Sequence, residues 1–187
     1  TISASDKISD ASQLWGIFAF EGMILKLEFF TVDDEYIVHL KHHDNKVPNN
    51  YAMGKPFIGI LFSINDVDYI APLTSVKEKH NKIKNSNPTS FKVFDGVENP
   101  RLISVVQLNN MIPVNQSVIT KFNLEAYDIK YQFLVNKELN YIRANSESLI
   151  KKAKKLYSIV VNKKVDSLVS ISCDFKKLEN AMSDYFL

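Results

Sequence analysis

The stretch from Lys55 to Lys84, KPFIGILFSINDVDYIAPLTSVKEKHNKIK, constrains this chain more than any other. Phe57 to Ile64 and Val67 to Ala71 are β-branched and aromatic runs separated only by Asn65-Asp66, so they predict two strands joined by a tight turn. Pro72 cannot donate a ladder hydrogen bond. The second strand is therefore expected to end there or to lie at an edge, delivering Leu73-Thr74-Ser75 to the rim of a sheet. The residues that follow are polar and basic: Lys77, Lys79, His80, Lys82 and Lys84, with Asn81 and Asn85 between them. Two hydroxyls and a histidine thus arrive in a lysine cluster, and Lys55 enters the same sheet one strand earlier. That combination suits a phosphate.

A chain of 187 residues suffices for one domain with a good core and is short for two. With 45% hydrophobic and 24% charged residues it has the composition of a globular protein. The formal charge is only +2, but residues 1–22 carry Lys7 against Asp6, Asp10 and Glu21, which leaves 22 basic and 18 acidic residues in the remainder. That bias permits a polyanionic partner without requiring one. A single cysteine, Cys173, excludes an internal disulfide and a thiolate zinc cluster and fits a reducing compartment. The apolar run Leu14 to Phe20 is too short to span a bilayer and follows acidic residues, so a cytoplasmic location is expected. Residues 1–22 read as a leader or an expression-derived extension, Met23 as a plausible native start, and 23–187 as the functional domain.

Along that domain, Leu25 to Val32 predicts a strand. Asp33 and Asp34 offer a cap and first-turn carboxylates for a short helix from about Asp34 to His43, with Tyr36, Ile37 and Leu40 at helical spacing. Asn45 to Gly54 is a loop by its Pro, Asn and Gly content. Phe91 to Phe94, Arg101 to Leu108 and a short Met111 to Val114 predict further strands. Tyr131, Val135, Leu139, Ile142, Leu149, Ala153, Leu156 and Val160 then form one stripe at spacings of three and four, read as one bent helix or as two that divide near Asn145 and Ser146. Asp174 caps a last helix through about Tyr185.

Breaking an RNA phosphodiester without a metal requires an acceptor for the 2′-hydroxyl proton, a donor for the leaving 5′-oxygen, and fixed charge or donors for the phosphorane. Lys55, Thr74, Ser75 and His80 supply those group types; a solvated loop with an ordinary hydroxyl pair is the plainer alternative. His39 and His43 stand four apart beside His42 and Asp44, a spacing a metal could use, but no HExxH pattern or cysteine accompanies them. Lys151, Lys152, Lys154 and Lys155, with Lys163 and Lys164, are either a helix's wet face or a second contact for a nucleic-acid backbone. Tyr36 and Tyr51 could stack on bases or be buried. GxxxxGK[ST], GxGxxG and G-x-S-x-G are absent, so nucleotide-binding and acyl-transfer classes have no support.

Six segments in register, NKVP at 45–48, KPFIGI at 55–60, YIAPLTS at 69–75 with KHN at 79–81, MIPV at 111–114, YIRANS at 141–146 and CDFKKLE at 173–179, make the chain resemble the ToxN/AbiQ group of type III toxin–antitoxin endoribonucleases. The resemblance covers roughly Phe29 to the C-terminus. It implies an α+β single domain, a strongly twisted antiparallel sheet with a MazF/Kid-like core surrounded by helices. It implies metal-independent RNA cleavage by 2′-hydroxyl attack, leaving a 2′,3′-cyclic phosphate and a 5′-hydroxyl. It places the key positions on Lys55, Thr74 and Ser75, with His80 in the same motif and aromatics at Tyr36 and Tyr51 near the RNA path. Lys77, Lys79, Lys82 and Lys84, with Lys151, Lys154 and Lys155, would hold RNA. The partner it implies is a repeat-encoded pseudoknot RNA that the toxin trims and that then blocks it, commonly in closed protein–RNA rings, in abortive phage infection, with no cofactor, DNA or membrane involved. Three other readings stay open: an RNA-binding module that does not cut, a metal-dependent nuclease using His39, His43 and Asp44, and an interaction domain whose helical tail binds protein.

Overall fold

The computed structural model describes residues 27–49 and 58–187. Its centre is the hairpin of β2 (Ile58–Ile64) and β3 (Val67–Ser75). Asn65 and Asp66 both lie at positive φ, 49° and 64°, as a two-residue turn of the primed kind requires, and that turn matches the twist of the strands it joins. Around the hairpin stand β1 (Phe29–Val32), β4 (Ser90–Asp95), β5 (Arg101–Gln107), the two-residue β6 (Ile112–Pro113) and β7 (Ile119–Lys121). They form one antiparallel sheet in the order β4-β5-β3-β2-β1-β7, with β6 also on β3.

The expectation for Pro72 is corrected here. β3 runs through the proline to Ser75 and lies inside the sheet. Register explains why this is tolerated. Counting from the Ile64–Val67 pair that closes the turn, hydrogen-bonded pairs alternate with unbonded ones, and Pro72 opposite Gly59 is an unbonded pair. The proline nitrogen therefore faces the other side, where the partner of β3 changes from β6, at Tyr69 and Ile70, to β5, at Leu73 to Ser75. The missing donor falls in the gap between two neighbours. Gly59 is as tightly specified: a Cβ there would sit 2.6 Å from the Ala71 carbonyl oxygen.

The helices are α1 (Asp34–His43), α2 (Glu78–Lys82), α3 (Ile129–Ala144), α4 (Ser146–Ser158), α5 (Asp166–Val169) and α6 (Phe175–Tyr185). The apolar stripe is two helices: α3 stops at Asn145, whose amide donates to the Tyr141 and Ile142 carbonyls, and α4 restarts at Ser146. Asp128 opens α3 by accepting the Lys130 and Tyr131 amides, and Asp174 opens α6 by accepting the Lys177 amide. Asp33 holds the cap position of α1, but its side chain makes no capping bond. Val135, Ile142, Leu149, Ala153, Leu156 and Val160 are buried against the sheet, with Tyr131 and Leu139 half-buried. The short α2 and the strand β7 were not anticipated, because the polar run 77–84 and the isolated triplet Ile119–Lys121 carry no clear period.

Candidate active site

Thr74 and Ser75 are the last two residues of β3, and their rows across the sheet differ. Thr74 pairs with Val105, which pairs with Lys92; Ser75 pairs with Ser104, which pairs with Val93. Successive strand residues point to opposite faces, so the two hydroxyls lie on either side of the sheet. Ser75 shares its face with Val93 of the main core. Thr74 shares its face with Lys92. Ser75 is exposed and Thr74 half-buried, so a phosphate meets both hydroxyls only by sitting across the strand's end.

Immediately after β3 the chain turns into α2. The His80 amide donates to the Lys77 carbonyl at 2.8 Å, and the Lys77 amide donates to His80 Nδ1 at 3.0 Å. The ring is therefore a helix cap, with only 3% of the residue exposed. Burial first, then the charges of Lys79, Lys77 and Lys92, push its pKa below the ordinary histidine value. The acid–base role expected of His80 is corrected: the ring is buried and its Nδ1 is committed to a backbone amide.

Those lysines meet others that the sequence kept apart. Lys152 of α4 reaches over the Phe91 ring, 5.7 Å from its centroid, and donates to the carbonyls of Asn85 and Ser90. Its pKa is lowered by burial and then by Lys155 and Lys92. Lys92 is thus within electrostatic reach of both His80 and Lys152, and the Lys152 bond to the Asn85 carbonyl brings α4 alongside the 77–84 segment. Lys77, Lys79, Lys82, Lys84, Lys151, Lys154 and Lys155 are exposed; Lys82 also makes a 3.7 Å pair with Glu78 that solvent screens heavily. Lys92 was missed as a site residue, whereas Lys152 was among the lysines considered for a nucleic-acid backbone. The alternation Ser90-Phe91-Lys92-Val93, which turns Lys92 away from the core side, was the available signal for Lys92.

Tyr36 is corrected as well. It is fully buried, donates its hydroxyl to the Pro113 carbonyl at 2.8 Å and packs against Tyr185 and Phe186, so no base can stack on it. His39 Nε2 bonds the Ala181 carbonyl and its ring lies against Tyr185 and His43. Among the described residues no group of three or more His, Cys, Asp or Glu gathers as a metal would need. Lys55, Tyr51 and the proposed leader 1–22 lie outside the described residues, while Gly59, four residues after Lys55, pairs with Pro72 two residues before Thr74.

Comparison with known proteins decides the family. The description "Toxin ToxN, type III toxin-antitoxin system" matches residues 28–183. The chain belongs to the ToxN family. It is 32% identical over 164 residues to the endoribonuclease ToxN of Pectobacterium atrosepticum, covering 85% of this chain and 94% of that one. It is 31% identical over 169 residues to the endoribonuclease AbiQ of Lactococcus lactis subsp. lactis, covering 87% and 91%. A solved structure of AbiQ, described as a lactococcal anti-phage endoribonuclease of a type III toxin–antitoxin system, superposes with a TM-score of 0.75 at 29% identity, covering 86% of this chain and 98% of that one. Another, describing selective toxin inhibition by a non-coding RNA pseudoknot, does so with 0.71 at 33% identity, covering 85% and 97%. The expected kinship and the expected α+β antiparallel fold of a ToxN family member both hold.

Proposed function

We propose that this ToxN family member is an endoribonuclease toxin that cuts RNA by attack of the substrate's own 2′-hydroxyl on the adjacent phosphorus, at the end of β3. The observation that carries this reading is the Thr74-Ser75 strand end opening beside a basic surface, in a chain whose curated relatives are endoribonucleases. Ser75, exposed at the rim, orients the scissile phosphate and relays a proton. Thr74 and Lys55 stabilise the charge of the phosphorane. Lys77, Lys79, Lys82 and Lys84 hold the backbone on one side, with Lys92 behind them; Lys151, Lys154 and Lys155 extend the path along α4. His80 holds the Lys77 amide and keeps α2 in place. Tyr51 is the aromatic proposed to stack on a base.

The partner proposed is a small structured RNA of the pseudoknot kind, which the toxin trims and which then occupies the same basic surface, in a closed assembly of alternating protein and RNA. The setting is a bacterial cytoplasm under phage attack. Among the described residues no helix is long and apolar enough to cross a membrane.

The products test the chemistry. Labelled RNA incubated with the protein in excess EDTA should be cut, and the fragments should carry 2′,3′-cyclic phosphate and 5′-hydroxyl ends. Fragments with 5′-phosphate ends, or cleavage lost in EDTA, would point to a metal-bound water as nucleophile. Binding without any change in RNA length would favour a non-catalytic module.

A further inference from the structure

Glu138 lies on α3, the helix that packs against β4, with 5% of its surface exposed. A carboxylate in such a place is costly unless it is paired. Its surroundings supply little: Ser104 of β5 lies close enough to favour its ionised form, while burial pushes its pKa up to about 7. On its own helix Tyr131, two turns back, feels its charge, and the neighbouring Lys137 is spent on Asp95 of β4 at 2.7 Å. The Ser104 hydroxyl is itself buried and has no hydrogen-bond partner. Ser104 stands directly opposite Ser75, and directly opposed residues of antiparallel strands share a face with Cβ atoms about 5 Å apart. An unpartnered interior hydroxyl thus stands between the exposed end of β3, its partner in the register, and the helix that carries the buried carboxyl.

We propose that Glu138 is a positioning residue of the cleavage site: acting through Ser104, it orients the Ser75 hydroxyl and takes up the proton that the attacking 2′-hydroxyl releases. This rests on the reading of Ser75 as the residue that meets the RNA. As the 2′-oxygen bonds to phosphorus, its proton passes to Ser75 Oγ, the Ser75 proton to Ser104 Oγ and the Ser104 proton to the Glu138 carboxylate. The bond from phosphorus to the 5′-oxygen breaks and that oxygen takes a proton from water. Glu138 returns its proton to water once the products have left, and both serines end unchanged. A carboxyl that titrates near neutrality suits this task, since it is basic enough to accept the proton and is still ionised above pH 7.

Single-turnover cleavage of a synthetic RNA containing a site cut by the wild-type protein tests this. Glu138→Gln keeps the shape and removes the acceptor. Its rate at pH 8 should fall by about 100-fold, the limb of the rate–pH profile near pH 7 should vanish, and RNA affinity should stay unchanged. Ser104→Ala should give the same loss, and the double variant should lose no more than either alone. A Glu138→Gln protein with the wild-type rate, or with a reduced rate and the wild-type limb intact, overturns the proposal. Melting curves accompany each variant, and should Glu138→Gln fail to fold, Ser104→Ala carries the test alone. Ser75→Ala separates the two readings: inactivity there with an unaffected Glu138→Gln removes only the relay, whereas wild-type activity in Ser75→Ala removes the site itself.

Discussion

Two buried glutamates show how the same side chain takes opposite signs in one molecule. Burial works against the charge of Glu179, but Lys176 and the hydroxyls of Tyr69 and Tyr157, which donate at 2.6, 2.7 and 2.8 Å, together hold its pKa below the usual value. Its contribution is present above the unfolded carboxylate pKa and is lost as pH falls through the lower folded value. Glu138 has no such company, and its pKa moves from 4.5 up to about 7. Folding therefore favours its protonated form, and the protein loses stability as pH rises across that interval, by about 3 kcal/mol when fully ionised. Glu138→Gln should raise the melting temperature at pH 8 and leave it unchanged at pH 4; equal effects at both would show that the carboxyl is not the strained group.

The central hairpin illustrates what a sequence discloses at the level of an element. Its strands and its Asn65-Asp66 turn follow from residue type alone, because β-branched runs and a tight turn are local properties. The fate of Pro72 is not local: it depends on which strands lie on the far side of β3 and where one hands over to the other, and β6 and β5 are joined to β3 only by tertiary structure. Gly59→Ala should destabilise by about 2 to 3 kcal/mol, read as a fall in melting temperature, because the added methyl meets backbone that cannot move aside. A variant as stable as wild type would mean that the two strands do not approach as closely as their register demands. The break between α3 and α4 was half legible: Asn145 and Ser146 signalled an interruption, but only the carbonyl bonds of the Asn145 amide fix it as a true end.

Across the whole molecule, the lysines of 77–84 and of α4 read in sequence as two unrelated charge runs. Packing sets them side by side through the Lys152 bond to the Asn85 carbonyl, with Lys92, a single lysine between two core residues in the sequence, within electrostatic reach of both. Glu138 was hidden for a related reason, since a carboxylate one residue away from an apolar stripe looks solvated until α3 is laid on β4. Tyr36 and His80 failed in the other direction: polar residue types near a site were read as reaching for substrate, and each is instead a buried hydrogen-bonding post. Lys92→Ala should weaken RNA binding and reduce the slope of log affinity against log salt by about 0.7 to 0.9; an unchanged slope would place the RNA elsewhere. The most direct test of the account is Ser75→Ala, measured for both cleavage and binding of one RNA. Cleavage should be abolished while affinity stays within about 2-fold of wild type, since a single hydroxyl contributes little beside the phosphate–lysine contacts. A Ser75→Ala protein that cuts RNA at the wild-type rate would contradict the assignment of the reaction to the end of β3.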